Sequence, residues 1–411
     1  MANQEQTRYL IIGGGLAGGN AASEIRKQDK QGRLILISRE DLTPYDRVPL
    51  SKAYLTGKIR REALFLKKPE FYTQNGIELM LGRDVSALDA KGRTATLLDG
   101  TSIKFEKLLL ASGGAPRRIP LPGAELPGIY YLRTVQDCDA IKSAAYGRAA
   151  VLGGGFIGCE LASAFASMGL ECTIIEMGPF LLNMAVDEET GRWVGDYFTK
   201  RGVRVLLNTT AKKFLGGEGG SVRGVETNGS PVDADFVVVG VGISLNTALA
   251  EGGGLKVERG IVTNEFLETS VEGIYAAGDV ARFYSPVFGR HLRLEHYDVA
   301  VKHGRVAGRN MVADRPVESF LDLPYFFSYQ FDLKINAYGD LSSRTSIVRR
   351  GELNATTGFM QFYFNGNLID GVLTVNTPSD EIKKAKNLVQ KRTTLSNPRE
   401  ISDGSRDLGS F

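Results

Sequence analysis

Residues 9–18 read Tyr-Leu-Ile-Ile-Gly-Gly-Gly-Leu-Ala-Gly, an apolar run that leads into a cluster of glycines. Gly13, Gly15 and Gly18 have the G-x-G-x-x-G spacing, and an Ala-rich segment to about residue 29 is predicted to be a helix. In such a motif the first glycine makes the tight turn, the second lets the backbone approach a diphosphate, and the third allows close helix–strand packing. Because the first N–H groups of the helix favour an anion, the stretch predicts a dinucleotide site.

The same pattern occurs a second time at residues 149–158. The run Ala-Ala-Val-Leu precedes Gly153, Gly155 and Gly158, and an apolar segment over 159–168 is predicted to be the following helix. Two strand–turn–helix units of this kind predict two bound dinucleotides. We therefore expect an α/β protein with two Rossmann-like dinucleotide-binding domains.

Composition limits the classes of protein to which the chain can belong. The 411 residues allow two or three domains, and a hydrophobic share of 43% with 24% charged residues is typical of a globular protein. A formal net charge of +3 gives no reason to expect binding to nucleic acid or to a membrane surface. The polar residues 1–8 do not resemble a signal peptide, so the expected location is the cytoplasm.

The cysteines exclude one kind of redox site. Cys138, Cys159 and Cys172 form no CxxC or CxxxxC pair, so we expect no redox-active dithiol next to a flavin. Cys159 and Cys172 have apolar neighbours in the sequence, which indicates packing in the core. We predict no metal site.

An acid at the end of the second strand of each unit is the expected ligand of a ribose. In the first unit, Glu40 is the candidate and Arg39 the candidate contact of an adenine, although both also fit a surface strand end. In the second unit, Glu176 follows the glycine turn by about twenty residues. A carboxylate there binds a ribose 2′-hydroxyl and repels a 2′-phosphate, which favours NADH over NADPH.

A proline-containing loop at residues 44–52 reads Pro-Tyr-Asp-Arg-Val-Pro-Leu-Ser-Lys. We expect a rigid loop that leads into a helix with Ser51 as its N-cap. Arg47 and Lys52 are placed to contact the phosphates and ring of a cofactor, but they also fit solvated loop charges. Glu160 is expected in the first turn of the second glycine-motif helix, where the helix dipole favours an anion, and this stabilisation is the alternative to a functional role.

Later segments contain two stretches of small residues, and the composition changes toward the C-terminal end. The buried run 105–110 ends in the small residues Ala111, Ser112 and Gly113, and residues 273–281 read Gly-Ile-Tyr-Ala-Ala-Gly-Asp-Val-Ala. Asp279 is either a ligand of a polyol or a helix N-cap. From about residue 319 aromatic residues cluster, which predicts an antiparallel sheet closed by a helix over 380–390. The polar end of the chain is predicted to be flexible.

We predict four parts from these observations. Residues 1–115 and 245–318 form a discontinuous FAD-binding domain, and residues 116–244 form an NAD-binding domain. Residues 319–392 form a C-terminal α+β domain, and residues 393–411 a flexible tail.

Together these motifs resemble the FAD-dependent pyridine nucleotide-disulphide oxidoreductases, in particular the branch of ferredoxin and rubredoxin reductases and apoptosis-inducing factor. Four features carry the resemblance: both glycine motifs, the loop 44–52, the segment 273–281 and the aromatic C-terminal region. The resemblance covers roughly residues 8–390. It implies a three-layer fold of the glutathione-reductase type, with FAD and NAD as cofactors.

The resemblance also implies roles for individual residues. Lys52 is expected to pair with Glu160 beside the flavin, and these two are the candidate catalytic residues. Tyr297 and Phe327 match positions where relatives often carry Trp, so aromatic stacking is retained. Further FAD contacts are expected from Gly13, Gly15, Leu16, Ala17, Gly18, Arg39, Glu40, Arg47, Val85, Ala111, Ser112, Gly113, Arg133, Gly278, Asp279, Glu295 and His296. Further NAD contacts are expected from Gly153, Gly155, Phe156, Ile157, Gly158, Glu160, Glu176 and Gly242.

Two departures from the family pattern stand out. Arg39 occupies the place of the first ribose-binding acid, with Glu40 one residue later, and Tyr329 stands where ferredoxin-reductase relatives often have Asp.

The activity implied is electron transfer from NADH through FAD to a ferredoxin or rubredoxin, by a monomer or homodimer. A cationic rim is one candidate docking surface for an acidic partner, formed by Arg290, Arg293, Lys302, Arg305 and Arg309. Two alternatives stay open. One is a small acceptor, as in monodehydroascorbate reductase, NADH oxidase or a quinone reductase. The other is an NADH-sensing role like that of apoptosis-inducing factor.

Overall fold

The computed structural model describes residues 4–342 and 344–411. Its α-helices are α1 (Leu16–Gln28), α2 (Pro69–Gln74), α3 (Val135–Ala144), α4 (Phe156–Ser167), α5 (Glu188–Thr199), α6 (Ala248–Gly252), α7 (Tyr297–Val312) and α8 (Ser379–Gln390). Short 3-10 helices occupy Val48–Ser51, Arg61–Leu64, Gly278–Val280, Pro398–Ser402 and Leu408–Ser410.

The strands up to the second glycine motif are β1 (Gln4–Ile12), β2 (Leu34–Ser38), β3 (Ile77–Leu81), β4 (Val85–Asp89), β5 (Thr94–Leu97), β6 (Ser102–Leu110), β7 (Gly114–Pro116), β8 (Ile129–Tyr131) and β9 (Arg148–Leu152). The strands that follow as far as α7 are β10 (Glu171–Ile175), β11 (Val203–Leu206), β12 (Ala211–Gly216), β13 (Val222–Thr227), β14 (Val232–Asp233), β15 (Phe236–Val239), β16 (Ile243–Leu245), β17 (Ile261–Thr263), β18 (Ile274–Ala276), β19 (Ala281–Ser285) and β20 (Arg290–Leu292). The C-terminal strands are β21 (Tyr325–Gln330), β22 (Leu333–Gly339), β23 (Ser346–Arg350), β24 (Phe359–Asn365) and β25 (Leu368–Val375).

The chain divides into two compact units. The first unit contains the described residues up to Asp46, together with Arg61–Ala115 and Ser244–Tyr325. The second unit contains Arg47–Arg60, Pro116–Ile243 and Phe326–Phe411. The loop residues 47–60 therefore pack with the second unit, whereas the sequence grouped them with the N-terminal domain.

The first unit is built on a sheet with the strand order β3-β2-β1-β6-β5-β4, and β18 also pairs with β6. β1, β2, β3, β6 and β18 run parallel to one another, while β4 and β5 form a hairpin whose strand β5 pairs antiparallel with β6. Every residue of β2 is buried, as expected for a parallel strand covered on both faces. The parallel arrangement brings the carboxyl ends of β1, β6 and β18 to one edge of the sheet.

The second unit contains the second Rossmann-like sheet, with the parallel order β11-β10-β9-β15-β8. An antiparallel sheet β12-β13-β14 lies beside it in sequence and shares its core through Phe214, Val222 and Val225. A further antiparallel sheet has the order β21-β22-β25-β24-β23 and is followed by α8. The predicted fold class, two Rossmann-like sheets and a C-terminal antiparallel sheet, is confirmed.

The C-terminal end of the chain differs from its prediction as a flexible tail. Residues 393–411 carry the last two 3-10 helices, and Ile401 and Leu408 are fully buried. The Arg350 guanidinium donates to the carbonyls of Ile401, Asp403 and Arg406 over 2.6–3.1 Å. The polar composition concealed these anchors, because two apolar side chains and one distant arginine are enough to order the segment.

Candidate functional sites

The first glycine motif has the geometry of a diphosphate cradle. Gly13 has φ +121°, and a Cβ there would lie 2.2 Å from the carbonyl oxygen of Ala111. A Cβ on Gly18 would lie 1.9 Å from the carbonyl oxygen of Gly13, so both positions require glycine. Gly15, the N-cap of α1, has no atom within 4 Å of a Cβ. The N-terminus of α1 therefore faces open space, which fits the diphosphate of a dinucleotide.

The predicted segments 111–113 and 278–279 lie at the same edge of the first unit. The backbone N–H of Ala277 donates to the carbonyl oxygen of Leu110 at 3.0 Å. Gly278 has φ +76°, and a Cβ at this position would lie 3.3 Å from the Cβ of Ala17. Two hydrogen bonds of 2.8 Å join Ser112 to Asn246. The Ser112 hydroxyl donates to the carbonyl oxygen of Asn246, and the Asn246 side-chain amide donates to the carbonyl oxygen of Ser112. Asp279 follows directly in a 3-10 helix, next to the first glycine turn.

Arg39 and Glu40 have different surroundings. The Arg39 side chain is 72% exposed and forms a salt bridge with Asp84 at 2.9 Å, one residue before Val85 and β4. Glu40 is half-buried and accepts a hydrogen bond from the hydroxyl of Tyr45 at 2.5 Å. The structure therefore holds Glu40 in place at the strand end, while Arg39 points to a surface carboxylate. Sequence spacing alone did not indicate Asp84 or Tyr45 as partners.

The start of α7 carries the predicted residues Glu295, His296 and Tyr297. His296 is the N-cap, and Tyr297 is the first helical residue. Glu295 is paired with Arg293 at 2.6 Å. Burial raises the pKa of the Tyr297 hydroxyl, and the nearby Asp46 carboxylate adds to the effect, so this side chain is a neutral phenol at physiological pH.

Small residues let α7 approach the backbone of α1 closely. A Cβ on Gly304 would lie 2.2 Å from the carbonyl oxygen of Ala17, and one on Gly308 2.9 Å from that of Ala21. On the same helix the fully buried His303 accepts the N–H of Gly278 on Nδ1 at 3.4 Å. The rings of Phe283 and Phe320 lie edge-on to its imidazole, and burial lowers the pKa of His303 to about 3. A neutral imidazole therefore supports the turn before Asp279, a contact that sequence reasoning missed.

The second glycine motif repeats the geometry of the first. Gly153 has φ +106°, and a Cβ there would lie 2.4 Å from the carbonyl oxygen of Gly240. A Cβ on Gly158 would lie 1.9 Å from the carbonyl oxygen of Gly153, whereas Gly155 and Gly242 have open space at the Cβ position. Gly155 is the N-cap of α4. This second helix start also fits a diphosphate.

The first two residues of α4 present apolar side chains. Ile157 is 46% exposed, and the ring of Phe156 lies 5.0 Å, edge-on, from that of Phe326. An exposed isoleucine at a helix start next to the open glycine turn is consistent with the predicted NAD contact.

Glu176 forms a carboxylate anchor within its own loop. It accepts hydrogen bonds from the backbone N–H of Gly154 at 2.5 Å, from that of Gly178 at 2.6 Å and from the side-chain amide of Asn183 at 3.2 Å. A carboxylate offers about four lone-pair positions, so further acceptor capacity is left for a ribose hydroxyl. The three donors hold the charge in place beside the second glycine turn.

The predicted pair Lys52 and Glu160 comes together within the second unit. Lys52 Nζ lies 2.5 Å from Glu160 Oε2, with 17% of the lysine side chain and 3% of the glutamate side chain exposed. Because α4 begins at Phe156, Glu160 lies beyond the first turn, which corrects the expectation of a simple helix-dipole role. Arg47 donates to the carbonyl oxygen of Arg133 at 2.8 Å, which joins these two predicted residues.

Ser51 differs from its predicted role as the N-cap of an α-helix. The segment Val48–Ser51 forms a 3-10 helix that ends at this residue, and turns follow it. The Ser51 hydroxyl instead donates to Glu160 Oε2 at 2.5 Å. The two prolines of the loop favour the tight helix. The hydroxyl of Ser51 forms a charge-assisted hydrogen bond as the donor to the buried carboxylate.

Strand β21 contributes to this site on both of its faces. Ser328 and Gln330 are buried on one face, and Ser328 donates to Glu160 Oε1 at 2.6 Å. On the alternate face the rings of Phe327 and Tyr329 lie 5.3 Å apart, and Tyr329 is 47% exposed. Of this strand, the sequence predicted only Phe327, on the aromatic face, as a site residue. The period-two alternation of a strand was the signal that pointed to its polar partners.

Most members of the predicted cationic rim are neutralised by carboxylates. Arg293 pairs with Glu295, Lys302 with Asp298 and Asp322, and Arg309 with Glu24 and Glu318. Arg290 lies over the ring of Phe288 at 5.4 Å. The rim is therefore a surface of mixed charge, which corrects the idea of a uniformly cationic docking face.

The three cysteines are buried, and burial raises the pKa of Cys138 and Cys172 to about 12 and also raises that of Cys159. None of them is a thiolate at neutral pH. In residues 4–342 and 344–411, no cluster of three or more His, Cys, Asp or Glu side chains is arranged to hold a metal ion. No helix among those residues is long and apolar enough to cross a membrane.

Comparison with known proteins identifies the family of the chain. Residues 7–304 match the family model of the pyridine nucleotide-disulphide oxidoreductases, and residues 325–411 match a reductase C-terminal model. The chain is 34% identical to rhodocoxin reductase of Rhodococcus erythropolis, over 97% of this chain and 93% of that protein. It is 32% identical to a monodehydroascorbate reductase of Solanum lycopersicum, over 93% and 94% of the two chains.

Among solved structures, the chain resembles the covalent complex of putidaredoxin reductase with putidaredoxin. The TM-score is 0.91 at 30% identity, and the match covers 99% of this chain and 98% of the reductase chain. The match of residues 325–411 to the C-terminal model includes the segment that the sequence predicted to be flexible.

Proposed function

Since the chain belongs to the pyridine nucleotide-disulphide oxidoreductase family, we propose that it transfers electrons from NADH through FAD to an iron–sulphur protein of the ferredoxin or rubredoxin type. The observation that carries the proposal is the pair of glycine turns, each with an open Cβ position at a helix start. Two such cradles in one chain suit two dinucleotides. Bound FAD supplies the redox chemistry, since it accepts two electrons and can release them one at a time.

In this proposal the first glycine turn binds FAD and the second binds NADH. The residues at the first turn, including Asp279 and the segment 111–113, lie at one edge of the parallel sheet, where dinucleotides bind in this fold class. Glu176 lies at the second turn with its carboxylate fixed by three donors. A fixed negative charge there accepts hydrogen bonds from a 2′-hydroxyl and repels a 2′-phosphate, which supports NADH as the preferred donor.

We propose that Lys52 is the catalytic residue of the second unit and that Glu160 positions it. The ammonium group of a largely buried lysine next to a buried carboxylate has few accessible conformations, so its charge is held at one place. A preorganised cation stabilises negative charge that develops next to it during electron transfer. The side-chain length and charge of Lys52 are the features that this role needs.

The proposed acceptor follows from the relatives, among them rhodocoxin reductase and putidaredoxin reductase, the latter seen joined to putidaredoxin. A second candidate is a small-molecule acceptor. It is supported by the monodehydroascorbate reductase of Solanum lycopersicum, which is 32% identical to this chain, against 34% for rhodocoxin reductase. The buried thiols give no support to disulphide reduction. The acceptor, rather than the use of NADH, is therefore the point that an experiment must decide.

Three further features belong to this proposal. We assign residues 116–244 as the NAD-binding domain and residues 319–392 as the C-terminal domain, and most of both lies in the second unit. A cytoplasmic location fits the three free cysteines. The proposed activity is compatible with a monomer or a homodimer, and light scattering during purification distinguishes the two states.

The test is an anaerobic titration of the purified yellow protein with NADH, followed by a panel of acceptors. We expect one equivalent of NADH to bleach the flavin absorbance, and NADPH to act far more weakly. The reduced protein should then pass electrons faster to ferredoxins or rubredoxins than to monodehydroascorbate, quinone or oxygen. A preference for a small acceptor supports the second candidate. A long-lived, long-wavelength absorbance band with slow turnover on every acceptor contradicts both.

A further inference from the structure

A buried group of polar side chains surrounds Glu160. Its carboxylate accepts from Lys52 Nζ and Ser51 Oγ on Oε2, both at 2.5 Å, and from Ser328 Oγ on Oε1 at 2.6 Å. Gln330 Nε2 in turn donates to Ser328 Oγ at 3.2 Å. We propose that Ser51, Ser328 and Gln330 are positioning residues, which hold Glu160 in the orientation that fixes the Lys52 ammonium. This inference rests on the proposed role of Lys52.

The carboxylate of Glu160 and the groups around it are buried. Ser51, Ser328, Gln330 and Glu160 are each at most 4% exposed. An ionised carboxylate at such a position is stable only when hydrogen bonds replace its water. Each carboxylate oxygen of Glu160 has a hydroxyl donor, and one oxygen has the ammonium as well, so the charge is compensated on both sides.

The hydrogen bonds around Ser328 fix the direction of its hydroxyl proton. A serine hydroxyl has one proton to donate and lone pairs to accept. Because Gln330 Nε2 donates to the oxygen of Ser328, the proton of Ser328 is left to point at Glu160 Oε1. The amide of Gln330 thus selects one orientation of the hydroxyl, and the hydroxyl selects one orientation of the carboxylate.

The carboxylate of Glu160 and its two hydroxyl donors come from three separate parts of the second unit. Ser51 ends the 3-10 helix of the proline-containing loop, Glu160 lies on α4, and Ser328 lies on β21. Ser51 Oγ is also 3.5 Å from Lys52 Nζ. Rigid elements therefore fix the carboxylate from both sides, as a preorganised electrostatic site requires.

The residue Ser163 provides a matched control. It lies on the same helix as Glu160, is 6% exposed, and accepts the backbone N–H of Phe331 at 2.6 Å. Removing its hydroxyl costs a buried hydrogen bond in the same neighbourhood without touching the carboxylate. Ser163→Ala should therefore lower the thermal stability while leaving flavin reduction unchanged.

The test compares Ser328→Ala with Ser163→Ala in the flavin-loaded full chain. For Ser328→Ala we expect the limiting rate of flavin reduction by NADH to fall about three- to tenfold, because one charge-assisted hydrogen bond of Glu160 is lost. The NADH concentration for half-saturation should not change. Ser328→Cys, which keeps a weak donor of similar size, should recover part of the rate.

A second measurement does not depend on catalysis. The oxidised holoprotein is treated with a water-soluble amine-acylating reagent, and the labelling of Lys52 is followed by peptide mass spectrometry. Ser328→Ala should label Lys52 at least about twofold faster than Ser163→Ala, because a loosened ion pair exposes the amine more often. Equal labelling and equal reduction rates in the two variants overturn the proposal.

A double-mutant cycle separates positioning through Glu160 from a direct effect. In a Glu160→Gln background, Ser328→Ala should change the reduction rate less than twofold, since both residues act through the same group. An effect as large as that in the wild-type background overturns the proposal. If NADH fails to reduce the wild-type flavin, the proposed function fails, while the labelling experiment still decides the role of Ser328.

Discussion

The open Cβ positions of Gly15 and Gly155 lead to a paired prediction about which turn binds which nucleotide. Gly155→Ala places a methyl group where no protein atom lies within 4 Å, and the residue has φ −76°, which alanine adopts without strain. At an N-cap, alanine is about 0.5–1 kcal/mol less favourable than glycine, while its more restricted unfolded chain gains about 0.4–1 kcal/mol. The free energy of unfolding should therefore change by less than about 1 kcal/mol.

The binding of nucleotide should change far more. The methyl group fills the space through which the helix N–H groups reach a diphosphate, and each hydrogen bond to a charged group contributes about 1.5–3 kcal/mol. Loss of one such bond weakens NADH binding by about ten- to 150-fold. The measurement is the NADH dependence of flavin reduction in stopped flow, with calorimetry to confirm that the fold is retained.

The same substitution at the first turn serves as the counterpart. Gly15→Ala should yield protein that folds but loses FAD on dialysis, and it should leave the NAD site of the second unit intact. Gly18→Ala is the steric control, because its Cβ would lie 1.9 Å from a carbonyl oxygen and should disrupt folding. If Gly155→Ala retains normal NADH affinity, or if it releases FAD instead, the assignment of the two turns is wrong.

Three further predictions concern single side chains. Lys52→Ala should slow flavin reduction at least about tenfold with FAD still bound, and an unchanged stopped-flow rate removes Lys52 from the mechanism. Burial lowers the pKa of His303 from an ordinary 6.5 to about 3, so the unfolded state binds a proton at a higher pH than the folded state does. The free energy of unfolding should therefore fall by about 2 kcal/mol between neutral pH and pH 5. Urea titrations should show a smaller acid dependence for His303→Gln. Arg350→Ala should lower the melting temperature and make the segment after residue 393 protease-sensitive, since three carbonyls lose their donor; equal cleavage of both proteins contradicts this.

Much of the candidate site was predictable because its chemistry is local in sequence. Gly13, Gly15 and Gly18 have roles that follow from their spacing and from the strand and helix on either side, and the structure confirms the tight turn. The same holds for Gly153, which has a positive φ and leaves no room for a Cβ next to the carbonyl oxygen of Gly240. The strand that ends before Glu176 was equally evident, because a buried β-branched run and a following acid are adjacent in the chain.

The misses concern partners that are distant in sequence. Ser51 looked like a helix N-cap because serine is favoured at that position, yet its hydroxyl donates a hydrogen bond to a buried carboxylate 109 residues later. Ser328 and Gln330 were hidden in an aromatic-rich stretch whose polar face has no meaning until α4 is packed against it. The ordered C-terminal segment was missed for the same reason, since its anchor Arg350 belongs to another strand.

By itself, the amino-acid sequence determined that this chain forms two strand–glycine turn–helix units and that each can bind a diphosphate, because those properties depend on φ angles and residue size within about ten consecutive positions. The tertiary structure alone decided where the charges act. It buried Glu160, directed three donors at its carboxylate, tied Glu176 to its own turn and paired Lys302 and Arg309 of α7 with carboxylates. Hydrogen bonds and ion pairs depend on distance in space and on the exclusion of water, and neither quantity is written in the order of residues.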